Sequence, residues 1–172
     1  MWVNIARIAK IVQNLTIIGG IFVGLGSLIF GPFGKRIEAI GEYRKDYIDH
    51  IRINYVEFLS KWTPVGHSTL TTTNDQTKTI VLDFFKDSGN QAKLLTFVDF
   101  FDGLWFCVHT KSCDQNTALD AFETQASVIY EASAYYIQDR RQQDRDSDFG
   151  AGLEKFYGLQ RQRYLSRLFV IP

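Results

Sequence analysis

The end of the chain holds the clearest set of side chains that could bind a ligand. Four cations and no acid lie between Lys155 and Pro172. Arginine forks recognise phosphates through charge-assisted hydrogen bonds, and tyrosine rings stack on nucleobases. The side chains that we predict to bind an anionic ligand are Arg161, Arg163, Tyr164 and Arg167, with Tyr157 near them. The alternative is a solvated face that pairs with Asp144, Asp146 and Asp148 or with acidic lipid.

A second cluster contains residue types that ligate metals, namely Cys107, His109 and Cys113. A structural zinc site needs four ligands, usually with closely spaced cysteine pairs, and no fourth ligand is nearby in the sequence. We therefore predict no metal and no cofactor, and interpret these residues as unpaired core cysteines and a histidine at a helix end. Unpaired cysteines fit a reducing compartment. No spacing of nucleophiles, histidines or carboxylates indicates catalysis, so the sequence favours a protein that is not an enzyme.

A long uncharged run precedes these residues, from Ile11 to Gly34. As a helix, Ile11–Phe30 would be about 30 Å long, which matches the hydrocarbon core of a bilayer. We predict that residues 1–34 are an uncleaved N-terminal membrane anchor. Two cations precede the run and five follow it within about twenty residues, which favours a single-pass inner-membrane protein with its C-terminal domain in the cytoplasm.

Small residues recur at four-residue steps in the predicted span and would lie on one face of a helix. The pairs are Gly20 with Gly24 and Ser27 with Gly31. Small residues allow helix backbones to approach closely inside a membrane, where the hydrophobic effect does not drive association. We therefore predict that the chain forms a homo-oligomer through this face. The alternative is that the glycines reflect only the composition of membrane helices.

The remaining residues predict a small, all-α cytoplasmic domain. Residues 35–62 have apolar side chains at three- and four-residue steps, which indicates an amphipathic juxtamembrane helix ended by Thr63-Pro64. Residues 63–172 would form the domain itself. Its first part, Gly66–Lys78, has the composition of a surface loop, and a short strand there stays an open alternative.

Three further helices are predicted in this domain. The first covers Gln91–His109, and the second begins after an Asp114 N-cap and ends near Gln138. The charged run Asp139–Asp148 is interpreted as a hinge or an extension of that helix. The last helix covers Phe149–Phe169.

Residues Phe97–Arg141 resemble an uncharacterised bacterial family through the stretch FVDFFDGLWFCVHTKSCDQNTALDAFETQASVIYEASAYYIQDRR. Its members have one N-terminal span, a helical cytoplasmic domain and a Phe-Phe-acid motif before a second long helix. This resemblance implies a fold and a topology but no chemistry. The architecture also resembles the small membrane effectors of type III CRISPR defence, which bind a cyclic oligoadenylate and perturb the membrane.

These observations lead us to expect a membrane-anchored, non-enzymatic, oligomeric effector or sensor. Its helical domain would bind a small anionic ligand, with a cyclic oligonucleotide second messenger of antiviral defence as the candidate. The expected partners are membrane lipid, further copies of the chain and this messenger. Nineteen cations balance nineteen acids, which argues against binding to DNA. The alternative is an accessory subunit that anchors a larger membrane complex through its aromatic surfaces.

The anchor can be tested by extraction. The full-length chain should stay in the membrane fraction in high salt and should be released by detergent, whereas a chain that begins at Lys35 should be soluble. The reason is the length of the uncharged run. Release of the full-length chain by high salt alone, detected on a blot of the supernatant, would show that the assignment is wrong.

Overall fold

The computed structural model describes the backbone of residues 31–169 and the side chains of residues 31–166. Every regular element in this range is helical, which confirms the all-α prediction. Among the described residues, no helix combines the length and the apolar character that crossing a bilayer requires. The predicted span at residues 11–30 lies outside this range, together with Gly20, Gly24 and Ser27. Gly31 is described, and a Cβ atom there would meet open space.

The described chain folds into helices joined by short turns. Helix α1 covers residues 31–46, a π-helical turn follows at Tyr47–Ile51, and α2 continues directly as Arg52–Thr69. The later helices are α3 at Asn74–Phe84, α4 at Ser88–His109, α5 at Gln115–Asp144 and α6 at Ala151–Phe169. Helices α4, α5 and α6 pack against one another, and α2 and α3 close the remaining side of one shared core.

Helices α1 and α2 form one continuous rod with the π turn between them. At a rise of about 1.5 Å per residue, residues 31–69 are roughly 58 Å long. The helix predicted for residues 35–62 lies within this rod, but the prediction that Thr63-Pro64 ends it is wrong. Pro64 lies on the exposed side of α2, as does Ser60, whose carbonyl group loses its N–H donor to the proline. Water can satisfy that carbonyl, so the helix continues to Thr69.

The rod buries one stripe of side chains against the core: Ile40, Tyr47, Ile51 and Phe58. In the π turn, the N–H group of Arg52 donates to the carbonyl of Tyr47, five residues earlier. An α-helical turn would use the residue four positions earlier. Tyr47 and Ile51 are both buried, so the wider turn lies on the side of the rod that faces the core.

The threonine-rich segment is mostly helical, contrary to the prediction of a loop over residues 66–78. Only residues 70–73 lie between α2 and α3, and no strand occurs in the described part of the segment. The Gln76 side chain accepts a hydrogen bond from the Thr73 backbone N–H at 3.1 Å, and the Thr72 and Thr77 hydroxyls lie 2.8 Å apart. Thr73 and Gln76 have the spacing of a capping box, a helix-start signal that the loop assignment overlooked.

Helices α4 and α5 both begin at an aspartate N-cap. Asp87 accepts from the backbone N–H of Asn90 at 2.9 Å, so α4 begins at Ser88, three residues before the predicted start at Gln91. Asp114 accepts from the Thr117 N–H at 2.8 Å, as predicted. Helix α5 continues past residue 138 to Asp144, which makes the first half of the charged run a helix extension.

Phe58 lies at the centre of an aromatic core. Its ring contacts those of Phe85 and Phe97 at centroid distances of 6.3 and 5.6 Å, and Phe85 in turn stacks on Tyr136 at 4.7 Å. The core thus joins α2, α3, α4 and α5. Phe106 of α4 lies outside this core and is 68% exposed.

Helix α6 crosses α4 where Gly152 meets Asp102. The Asp102 carboxylate accepts a hydrogen bond from the Gly152 backbone N–H at 2.7 Å, and burial raises the pKa of this carboxyl group. A Cβ atom at residue 152 would lie 2.5 Å from the Asp102 Cα and even closer to its carboxylate oxygen. Asp102 of α4 therefore caps the first turn of α6.

Two glycines of α6 provide a matched test of this crossing. Gly152→Ala should lower the free energy of unfolding by about 1–3 kcal/mol, because backbone must move to admit the methyl group. Gly158→Ala should raise it by about 0.5–1 kcal/mol, since a Cβ there meets nothing within 4 Å and alanine favours helix. Denaturant unfolding of the full-length chain in detergent, followed by circular dichroism, measures both. Equal effects of the two substitutions would contradict a close crossing at residue 152.

Candidate functional site

The predicted ligand-binding residues of α6 line a groove between α5 and α6 with a volume of about 220 Å³. Side chains of both helices form it: Glu123, Ser127, Tyr157, Gln160, Arg161, Arg163 and Tyr164. The structure therefore brings together three of the four predicted residues. The side chain of the fourth, Arg167, lies outside the described residues. Arg161 and Tyr164 are exposed at the groove, whereas the Arg163 side chain is 20% exposed.

Arg163 is held by two carboxylates of α5. Its Nη2 atom lies 2.6 Å from Asp120 Oδ1, and its Nη1 atom lies 3.7 Å from Glu123 Oε2. The alternative pairing with Asp144, Asp146 and Asp148 is wrong for this residue, and Asp144 instead pairs with Arg140 at 2.7 Å. The guanidinium group thus joins α5 to α6 rather than standing free in solvent.

Tyr157 and Tyr164 form the aromatic part of the groove wall, and Tyr157 is supported from behind by Tyr130. The rings of Tyr130 and Tyr157 stack at 4.7 Å with an interplanar angle of 28°. Tyr130 donates to Glu154 at 3.1 Å, and Tyr157 donates to Glu131 at 3.2 Å. Burial, together with the neighbouring carboxylate, raises the pKa of each phenol above its ordinary value. Both groups therefore remain protonated hydrogen-bond donors at neutral pH.

Polar atoms in the groove retain unused hydrogen-bonding capacity. Gln160 Oε1 and Arg163 Nη1 are buried and have no hydrogen-bond partner among the described residues. Arg163 Nη1 has only the Glu123 carboxylate near it, at 3.7 Å, which is too long for a hydrogen bond. Buried polar groups without partners are costly, so a ligand or water that supplied an acceptor and a donor here would be stabilised.

The cysteines are paired, so their interpretation as unpaired core residues is wrong. Cys107 and Cys113 form a disulfide across the turn between α4 and α5, with their Cα atoms 5.1 Å apart. Lys111 has a left-handed backbone with φ of 61°, which reverses the chain between them. His109 stacks on Trp105 at a centroid distance of 5.3 Å. The cysteine argument for a reducing compartment is therefore lost.

The carboxylates of the groove were missed at the sequence level. Asp120, Glu123 and Ser127 lie three and four positions apart, and such spacing places them on one face of α5. This face signal was available in the sequence. Nothing in the sequence indicated that α6, rather than solvent, would lie against it.

Comparison with known proteins adds no assignment, because no protein-family model, curated protein or solved structure matches this chain. The two resemblances given above therefore remain predictions. The assignment of a candidate site to the α5–α6 groove therefore rests on its geometry alone.

The two ion pairs of Arg163 should differ in strength. In double-mutant cycles of Arg163→Ala with Asp120→Ala and with Glu123→Ala, the Asp120 pair should show a coupling energy of up to about 1 kcal/mol. The Glu123 pair should show less, because its atoms are 1 Å or more further apart. Urea unfolding of the full-length variants measures both. A larger coupling for Glu123 would contradict the arrangement described here.

Proposed function

We propose that this chain is a membrane-anchored, non-enzymatic, oligomeric effector or sensor that binds a small anionic ligand in the α5–α6 groove. The candidate ligand is a nucleotide second messenger, with cyclic oligoadenylates of antiviral defence as the first class to test. The groove supports this proposal because it combines two arginines, two tyrosine rings and an unpartnered amide oxygen. These groups suit the phosphate, base and amino group of an adenine nucleotide.

Binding rather than catalysis is what these side chains support. The raised pKa of Tyr157 keeps its phenol protonated at neutral pH, so it does not supply a nucleophile or a base there. Arg163 is a permanent cation and provides charge without exchanging protons. The groove thus offers recognition by charge, stacking and hydrogen bonds.

The size of the groove supports an oligomer. Pockets for small molecules commonly have volumes of about 300–1,000 Å³, and the groove of one chain is smaller, at about 220 Å³. One chain would therefore hold part of an oligonucleotide, and a second copy would hold the rest. Copies brought together by the predicted glycine face of the span would supply this second groove.

Ligand binding would act through the ion pair between α5 and α6. An incoming phosphate would compete with Glu123 for Arg163 Nη1, because that pair is the longer of the two. Helix α6 packs on α4, and Phe100 of α4 contacts Tyr43 of α1 at 5.8 Å. A ligand that binds more tightly to one position of α6 than to another would thereby shift the populations of the corresponding positions of the rod that leads to the membrane.

We place the helical domain in the cytoplasm because five cations follow the apolar run and two precede it. The Cys107–Cys113 disulfide opposes this placement, since disulfides persist mainly in oxidising compartments. In the cytoplasm the pair would be reduced or would form transiently, as in redox-sensing proteins. The cation bias acts during membrane insertion, before the domain folds, and we give it priority for that reason.

The second candidate function is an accessory subunit of a larger membrane complex. It is favoured by large apolar side chains that are exposed in the described structure, among them Ile53, Val56, Leu70 and Phe106. Such side chains could contact another protein. Purification in detergent separates the two functions, because a homo-oligomer without other subunits supports the effector and stoichiometric partners support the subunit.

Calorimetric titration of the full-length chain in detergent with cyclic oligoadenylates tests whether the groove binds this class of ligand. Arg163→Ala should weaken binding by about ten- to a hundredfold, since it removes a charge-assisted hydrogen bond. Glu123→Gln should tighten binding, because it removes the competing carboxylate. Tyr164→Ala should weaken binding, and Tyr164→Phe should change it little if the ring stacks.

The matched control is Arg145→Gln, an exposed cation outside the groove, which should leave the affinity unchanged. Two results would overturn the assignment of this groove. One is the absence of binding to any cyclic oligoadenylate by the folded oligomer, and the other is equal affinity of the wild type and Arg163→Ala.

A further inference from the structure

A second cavity lies where the turn between α4 and α5 meets α1, and it has a volume of about 310 Å³. Arg36 of α1, Trp105 and His109 of α4, and Lys111 of the turn contribute to its lining. The backbone N–H of Asp114 donates to the Arg36 carbonyl at 3.3 Å, which holds the turn against α1. The cavity therefore lies at a junction of α1, α4 and the turn.

The cavity has an excess of positive charge. Arg36 and Lys111 form no ion pair with any described residue. A third cation, Lys155, lies 5.8 Å from the centre of the Trp105 ring. The one carboxylate in the lining, Asp114, accepts from the Thr117 N–H at 2.8 Å and from the Thr117 hydroxyl at 2.7 Å. These hydrogen bonds, and to a smaller extent the charge of Arg36, lower the pKa of Asp114, so one negative charge offsets part of the positive charge.

The position of the cavity relates it to the membrane. Arg36 comes two residues after Gly34, where the uncharged run ends. Residues 31–36 are helical, so Arg36 lies about 7–8 Å along the helix from residue 31. The headgroup region extends roughly 5–8 Å beyond the hydrocarbon core on each side. A span that ends near residue 30 therefore places the Arg36 side of the cavity at headgroup depth.

Exposed aromatic side chains on the same two helices fit the same location. Phe33 of α1 and Phe106 of α4 are 51% and 68% exposed. Trp105 stacks on His109 and contributes its ring to the cavity wall. Aromatic residues are enriched where a membrane protein meets the headgroups, and basic residues there attract anionic lipids.

We propose that this cavity binds the headgroup of an anionic phospholipid in the bilayer that holds the N-terminal segment. Arg36 and Lys111 contact the lipid phosphate, and Trp105 lies beside the headgroup. The lipid then joins the end of the span to the turn between α4 and α5. This proposal rests on the membrane anchor of the proposed function, and it does not involve the α5–α6 groove.

The test uses the full-length chain in detergent micelles that contain equal amounts of phosphatidylglycerol and phosphatidylcholine. Native mass spectrometry counts each lipid that remains bound. The wild type should retain phosphatidylglycerol in preference, and the pair Arg36→Gln with Lys111→Gln should lose that preference by about tenfold or more. The control pair Lys78→Gln with Arg145→Gln removes the same charge from exposed sites elsewhere and should retain it.

Three results would overturn the proposal: no preference in the wild type, an unchanged preference in the Arg36/Lys111 variant, or an equal loss in the control. Glycerol phosphate added to the micelles distinguishes a lipid site from a site for free phosphate. It should not displace the lipid at millimolar concentration, and full displacement would also overturn the proposal. The membrane anchor is tested separately: if it is wrongly assigned, high salt will release the wild type from membranes.

Discussion

The backbone of α6 lies directly against α4 at Gly152, and the position of every later residue of α6 depends on this approach. Asp102 reinforces it by accepting the Gly152 N–H. Because the first turn of α6 is fixed there, one side of its later turns faces α5, and Arg163 lies on that side. The groove that holds Arg163 thus depends on a contact more than two turns away, between residues that take no part in binding.

Several ion pairs of the domain join different helices. Arg163 joins α6 to α5 through Asp120, and Arg141 of α5 reaches Glu154 of α6 at 2.8 Å. Partly exposed pairs of this kind add little stability. Their effect here is positional, because they set how α5 and α6 lie relative to each other. The proposed binding of an anion would exchange one such pair and would leave the aromatic core intact.

Much of the helical pattern could be predicted from the sequence, since α4, α5 and α6 have strong apolar periodicity and Asp114 is a clear N-cap. The end of the rod was mispredicted because a proline interrupts a helix less when its side of the helix is exposed, and exposure depends on packing. Only the residues that α6 contributes to the groove were predicted. Arg163 and Tyr164 were identifiable from α6, but their partners on α5 depend on the crossing at Gly152, which local patterns do not encode.

The π turn at Tyr47–Ile51 decides which side chains α2 exposes. Such a turn contains one residue more than the α-helical turn it replaces, so the residues after it are displaced by about 100° around the axis. Phe58 nevertheless remains in the core, whereas Ile53 and Val56 are 68% and 57% exposed. The extra residue thus determines which apolar side chains of α2 lie on the outer side of the rod.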